Sequence, residues 1–172
     1  MTFDVRRSVS LMAPFACLVA VLDQITKFII LAWLDHGERV PVIDGFFDLT
    51  LTYNPGAAFG FLANVADDTL RHTLLGVTTF VALVAVLYVL VYDYYDDLIA
   101  QGALAAVIGG AIGNIIDRIR IGMVIDFLDF YIGTLHWPVF NIADTAICLG
   151  VAVLLMRRPA QRRIQSAETE PV

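Results

Sequence analysis

The sequence is poor in the side chains that most hydrolases rely on. Its only serines are Ser8, Ser10 and Ser166, all near the chain ends, which excludes a serine nucleophile in the body of the protein. It has two cysteines, Cys17 and Cys148, each inside an apolar run with no histidine nearby in sequence. A thiol buried in such a run is inert, so both read as small packing residues. His36, His72 and His136 stand far apart, and no His-Glu-x-x-His or Cys-x-x-Cys spacing occurs, so zinc chemistry has no ligand set. No Lys/Arg-rich block with interleaved aromatics is present, which removes the footprint of a nucleic-acid binder.

What is abundant is apolar sequence. Of 172 residues, 59% are hydrophobic, and the mean hydropathy is +0.76. That composition indicates a polytopic membrane protein forming a single domain over residues 1–172. Four apolar segments stand out, at about 11–34, 73–92, 98–116 and 140–156. The second has 20 residues, and at about 1.5 Å rise per residue this spans about 30 Å of hydrocarbon. Arg6 and Arg7 precede the first segment as in a signal peptide, but the apolar run continues to about Trp33 without a small-residue cleavage site. It therefore reads as a retained membrane helix.

Four crossings put both termini on one side. Arg6, Arg7, Arg157, Arg158, Arg162 and Arg163 gather there, and the positive-inside tendency makes that side cytoplasmic. Tyr88, Tyr92, Tyr94 and Tyr95 would form the inner aromatic belt, and Trp33, Tyr131 and Trp137 the outer one.

Two segments, 35–72 and 117–138, are left for the outer face. The first contains a hairpin signal: Val40–Ile43 with Pro41 favouring an edge, then Asp44-Gly45 as a two-residue turn. Phe47, Leu49, Leu51 and Tyr53 then alternate with Asp48, Thr50 and Thr52, the pattern of a half-buried or interface-lying strand. Asn54-Pro55-Gly56 ends it, and 57–63 reads as a short helix. The second segment links the last two membrane helices. The tail, about 161–172, is polar and reads as disordered.

Charges within the apolar segments are the candidates for function, because desolvating them is costly. Asp23 and Lys27 lie four residues apart and share a helix face. Structural pairing and support of a site explain them equally well. The third segment has a small-residue stripe, Gly102, Ala106 and Gly110, ending in Asn114 and Arg118. A second stripe, Ala105, Gly109 and Gly113, ends in Asp117. Small residues allow close helix packing, while Asn114 and Arg118 either meet head groups or contact a substrate. Asp144, one turn after Asn141, could simply match a helix dipole. No such account covers Asp126, set between Ile125 and Phe127 with no basic residue beside it. Two carboxylates can activate water without metal or covalent nucleophile, and Asp126 with Asp144 is the favoured pair. Asp129 is a further candidate that could instead face water.

Five motifs in order then resemble one family. They are Asp23-Gln24-Ile25-Thr26-Lys27, Asn54-Pro55-Gly56-Ala57-Ala58-Phe59-Gly60, Gly109 to Arg118, Val124 to Phe130, and Phe140-Asn141-Ile142-Ala143-Asp144. Together they resemble bacterial lipoprotein signal peptidase, also called signal peptidase II. Thr26 stands where serine is common, and Ile112 and Ile115 where leucine is common.

The resemblance implies an α-helical membrane protein with four transmembrane helices, a small extramembrane β-sheet cradle and a short helix on the outer face. It implies an aspartyl endopeptidase of the bacterial inner membrane, cutting diacylglyceryl-modified prolipoproteins before the lipidated cysteine. Asp126 and Asp144 would be catalytic. Asp23, Lys27, Asn54, Gly56, Asn114, Arg118 and Asn141 would line or support the site. Membrane lipid is the further partner; no cofactor or metal is expected, and the chain reads as a monomer. The alternatives are a small proton-coupled transporter using the intramembrane Asp and Lys residues, and a non-catalytic assembly factor. Against the transporter, no inverted repeat or midplane helix break is evident.

Overall fold

A computed structural model describes residues 5–55, 88 and 97–157. Three helices and four strands occur among them: α1 (Val5–Trp33), β1 (Arg39–Ile43), β2 (Phe47–Asn54), α2 (Leu98–Ile121), β3 (Val124–Ile132), β4 (Leu135–His136) and α3 (Ile142–Met156). The second apolar segment at 73–92, the short helix at 57–63, Gly56 and the tail at 161–172 lie outside the described residues.

Within the described part, Met12–Trp33 and Leu98–Ile121 are long and apolar enough to cross a membrane. The third helix has 15 residues, about 22 Å of rise. The helices meet through small side chains. A Cβ on Gly109 would fall 2.5 Å from the Ala16 carbonyl oxygen on α1, and one on Gly150 would fall 2.6 Å from that of Ala103 on α2. Gly110 is equally tight against Ala143 of α3. The two stripes of α2 thus have separate tasks: Gly109 and Gly113 face α1, while Gly110 faces α3. Gly102, at the start of its stripe, has no atom near enough to need the space.

Both ends of α2 are capped. The Asp97 Oδ1 accepts from the amides of Ile99 and Ala100 at 3.1 and 3.2 Å, which answers orphaned N–H groups of the first turn. Its other oxygen takes the Arg157 guanidinium at 2.9 and 2.7 Å, tying the start of α2 to the end of α3. At the far end Gly122 adopts φ 72° and donates its amide to the Arg118 carbonyl, the left-handed stop that glycine favours.

This helix runs five residues past the expected end at Ile116. Asp117 does not terminate it, because that carboxylate is buried against α1 and neutralised there. The start of the expected 117–138 linker is therefore helix.

The remainder of that segment pairs with the first outer segment in one antiparallel sheet, ordered β1-β2-β3-β4. As Pro41 suggests, β1 is an edge strand. The hairpin link is longer than two residues. Asp44, Gly45 and Phe46 stand between the strands, with Gly45 at φ 79° and the Phe46 amide donating to the Ile43 carbonyl.

Nor is β2 half-buried in the simple sense. Leu51 packs with Ile30, Leu34, Ile125 and Phe127, but Asp48 and Thr50 are buried too. Asp48 accepts from the Tyr131 hydroxyl at 3.0 Å, and Thr50 donates to the Glu38 carbonyl at 2.7 Å. Both cysteines are exposed on the helix surfaces rather than buried.

Candidate functional site

Strand β3 leaves the end of α2 and runs back alongside β2. This places Asp126 beside the first turn of α3. The register pairs Thr52 with Asp126, so the end of β2 brings Asn54 to the same carboxylate. Its amide donates to Asp126 Oδ2 at 3.0 Å, and Asn141 donates to Asp126 Oδ1 at 2.7 Å. Asp126 is 2% exposed. Burial, and secondly the neighbouring Asp144 charge, push its carboxyl from 3.8 up to about 7, against the pull of the two amides and Lys27.

Asp144 sits in the first turn of α3. Asn141 caps that helix, its Oδ1 accepting the Asp144 amide at 2.9 Å. The Asp144 Oδ1 accepts from the Asn114 amide at 2.8 Å. Asn141 in turn donates to the Asn114 Oδ1 at 3.2 Å. The two carboxylates are thus the ends of a chain, Asp126–Asn141–Asn114–Asp144. Arg118, one turn beyond Asn114 on α2, lies in the field of Asp144, Asp126 and Asp117.

Behind the amides lies a second cluster. The Lys27 Nζ is 2.8 Å from Asp23 Oδ2, 2.7 Å from Asp117 Oδ2 and 3.0 Å from Asn114 Oδ1. All three charged residues are 1% exposed or less. Asp23 Oδ1 also accepts the Ala143 amide at 2.9 Å, a second orphaned donor of α3. A Cβ on Gly113 would fall 2.5 Å from Asp23 Oδ2, so this glycine is what lets the cluster form.

Of the expected set, Asp23, Lys27, Asn54, Asn114, Arg118, Asn141, Asp126 and Asp144 come together here; Gly56 lies outside the described residues. Two members were missing from that set. Asp117 joins Lys27, accepts from Gln24 Nε2 at 3.0 Å, and accepts from the Ile125 amide at 3.3 Å. The four-residue spacing Gly109, Gly113, Asp117 was the signal that it shares the α1-facing stripe. Gln24 also donates to the Gly113 carbonyl at 3.1 Å and sits one residue from Asp23.

Asp129 does not face water. It is fully buried, with His136 Nδ1 at 2.8 Å and the Arg39 guanidinium at 2.8 Å, the latter without hydrogen-bond alignment. A groove of about 700 Å³ between α1 and α2, lined by residues such as Val21, Phe28, Ile108 and Ile112, contains neither Asp126 nor Asp144. Among the described residues no group of three or more His, Cys, Asp or Glu is placed to hold a metal.

The chain as a whole has counterparts among known proteins. The family model described as Signal peptidase (SPase) II matches residues 15–158. A lipoprotein signal peptidase of Syntrophus aciditrophicus is 50% identical over 141 residues, covering 82% of this chain and 87% of its own. That of Geobacter sulfurreducens is 49% identical over 134 residues, covering 78% and 82%. A bacterial membrane enzyme solved by the in meso method at 2.3 Å resolution superposes with a TM-score of 0.75 at 32% identity, covering 99% of this chain and 96% of that one. The fold, the motifs and these matches together place the chain in the signal peptidase II family of lipoprotein-processing membrane peptidases.

Proposed function

We propose that Asp126 and Asp144 are the catalytic pair with which this peptidase removes signal peptides from diacylglyceryl-modified prolipoproteins, cutting before the lipidated cysteine. The observation behind this reading is the amide chain joining the two carboxylates. Amide donors bridge both groups, whereas Asp23 and Asp117 nearby are bound by the Lys27 ammonium.

Asp144 is the more exposed of the two and takes the proton of the attacking water. Asp126, which burial keeps protonated to about pH 7, polarises the scissile carbonyl. Attack gives a tetrahedral intermediate. Its C–N bond then breaks as a proton passes to the departing amine of the cysteine. Two close carboxylates cannot readily ionise together, so the titration belongs to the pair. Asn54, Gly56 and Arg118 line the substrate side; Asn114 and Asn141 orient the pair; Asp23 and Lys27 support them.

The topology that fits this chemistry has four transmembrane helices and both termini in the cytoplasm, with the pair near the outer face of the inner membrane. The arginines flanking the first and last segments support that orientation. Lipid on the substrate then stays in the leaflet while water enters from outside. No feature of the site favours the transporter: its charges pair within one cluster rather than along a path through the membrane.

The test is cleavage of a diacylglyceryl prolipoprotein by purified protein. Asp126→Asn and Asp144→Asn should each remain folded by thermal melting and lose about 10³-fold or more in rate, the scale of acid–base catalysis. Substantial cleavage by either variant would overturn the assignment.

A further inference from the structure

Lys27 has more to do than neutralise its two aspartates. An ammonium has three protons and no acceptor. Here the protons meet three acceptors, Asp23 Oδ2, Asp117 Oδ2 and Asn114 Oδ1. The third is the end of an amide, and an amide can be turned over. With its oxygen toward Lys27, Asn114 presents its NH₂ to Asp144. Turned over, it would set its NH₂ against the ammonium and its oxygen against the carboxylate, a donor on a donor and an acceptor on an anion.

Asn141 has its own anchor, since its oxygen is committed to the Asp144 amide. Asn114 has no such cap, and the amide of Asn141 reinforces the orientation that Lys27 selects.

We propose that Lys27 is a positioning residue for the catalytic pair, its ammonium fixing the Asn114 amide so that an N–H always faces Asp144. The proposal rests on Asp126 and Asp144 being that pair. The charged groups around Asp144 are Arg118 on α2 and Asp126 on β3. Those around Lys27 are Asp23 on its own helix and Asp117 on α2. Removing Lys27 alone would strand two buried carboxylates and could unfold the protein. The comparison is therefore made between two variants of equal charge: Lys27→Gln/Asp117→Asn and Lys27→Met/Asp117→Asn. Glutamine and methionine have similar length and volume, but only glutamine can donate to Asn114.

With cleavage of a lipid-modified substrate as the readout, the methionine variant should show kcat at least about ten-fold below the glutamine variant. KM should differ by less than about three-fold, since the missing donor acts on the pair rather than on substrate binding. The acid-side midpoint of its kcat profile should lie about one pH unit higher, because an ionised carboxylate that loses a donor is easier to protonate. Equal rates and superimposable profiles would reduce Lys27 to a structural counter-ion and sink the proposal.

If the double variants fold poorly, Asn114→Ser provides the second arm. It keeps the two ion pairs of Lys27 with Asp23 and Asp117 and removes only the amide that Lys27 orients; it should move the acid limb in the same direction, and an unmoved limb is equally fatal. Failure here leaves Asp126→Asn and Asp144→Asn inactive. Failure of the pair itself would show as activity in those two variants.

Discussion

Asp126 and Asp129 stand three residues apart on one strand, and both are buried. Their surroundings are opposite in kind. Asp129 meets a guanidinium and an imidazole; Asp126 meets two amides and lies in the field of Asp144 and Arg118. A buried carboxylate held by direct charge has its oxygens committed to that partner. One held by neutral donors is fixed in position while its proton remains exchangeable. What separates the proposed catalytic acid from its neighbour is therefore the type of partner and not burial alone.

The sharpest probe of this contrast is pH. Asp126 is raised from 3.8 to about 7 in the folded protein, so the neutral form is the one the fold prefers. As pH climbs from about 4 to about 7, the unfolded chain ionises first and stability declines; above that window the loss is complete. Asp126→Asn should make this decline shallower in a melting-temperature series. In the active enzyme kcat/KM should fall about ten-fold per pH unit above about 7, as the protonated member of the pair is lost. A flat profile from pH 6 to 9 would contradict the assignment of Asp126.

A smaller effect is expected at Asn54. Asn54→Ala removes one of the two amides on Asp126 and should slow cleavage by up to about ten-fold, the worth of one neutral hydrogen bond. Because that amide favours the ionised form, the alkaline midpoint should move upward. A downward move would mean Asn54 acts on something other than Asp126. The smallest effect belongs to Asp129→Asn. Cleavage should stay within about three-fold of the parent, with the loss appearing instead as a lower melting temperature. An inactive, well-folded Asp129→Asn protein would reverse the roles of the two carboxylates.

Local pattern was enough to locate the three described apolar helices, the Asp23–Lys27 pair and the edge position of β1. The motif order was enough to bring Asp126 and Asp144 together with three asparagines. What escaped was decided at long range. Asp117 looks like a helix end until Lys27, ninety positions earlier on another helix, accounts for its burial. Val124 to Tyr131 has the β-branched and aromatic residues of a strand, but only pairing with β2 distinguishes it from a linker. The charge partner of Asp129 is Arg39 on β1, two strands away in the sheet, and no window along the chain contains both. Gly122, by contrast, was a readable stop signal for α2 five residues beyond the charges that seemed to end it.

Asn141 has three attachments: its oxygen caps α3, and its NH₂ serves both Asp126 and Asn114. An inhibitor that hydrogen-bonds to Asp126 in its present position would be hard for a bacterium to escape by mutation. Substituting Asn141 to shift that carboxylate would at once fray the helix that presents Asp144, and substituting Asn114 would reach the same pair from the other side. With Asp126 and Asp144 as the proposed catalytic pair, the routes to resistance that leave the enzyme working would be confined to residues that touch the drug and not the aspartates.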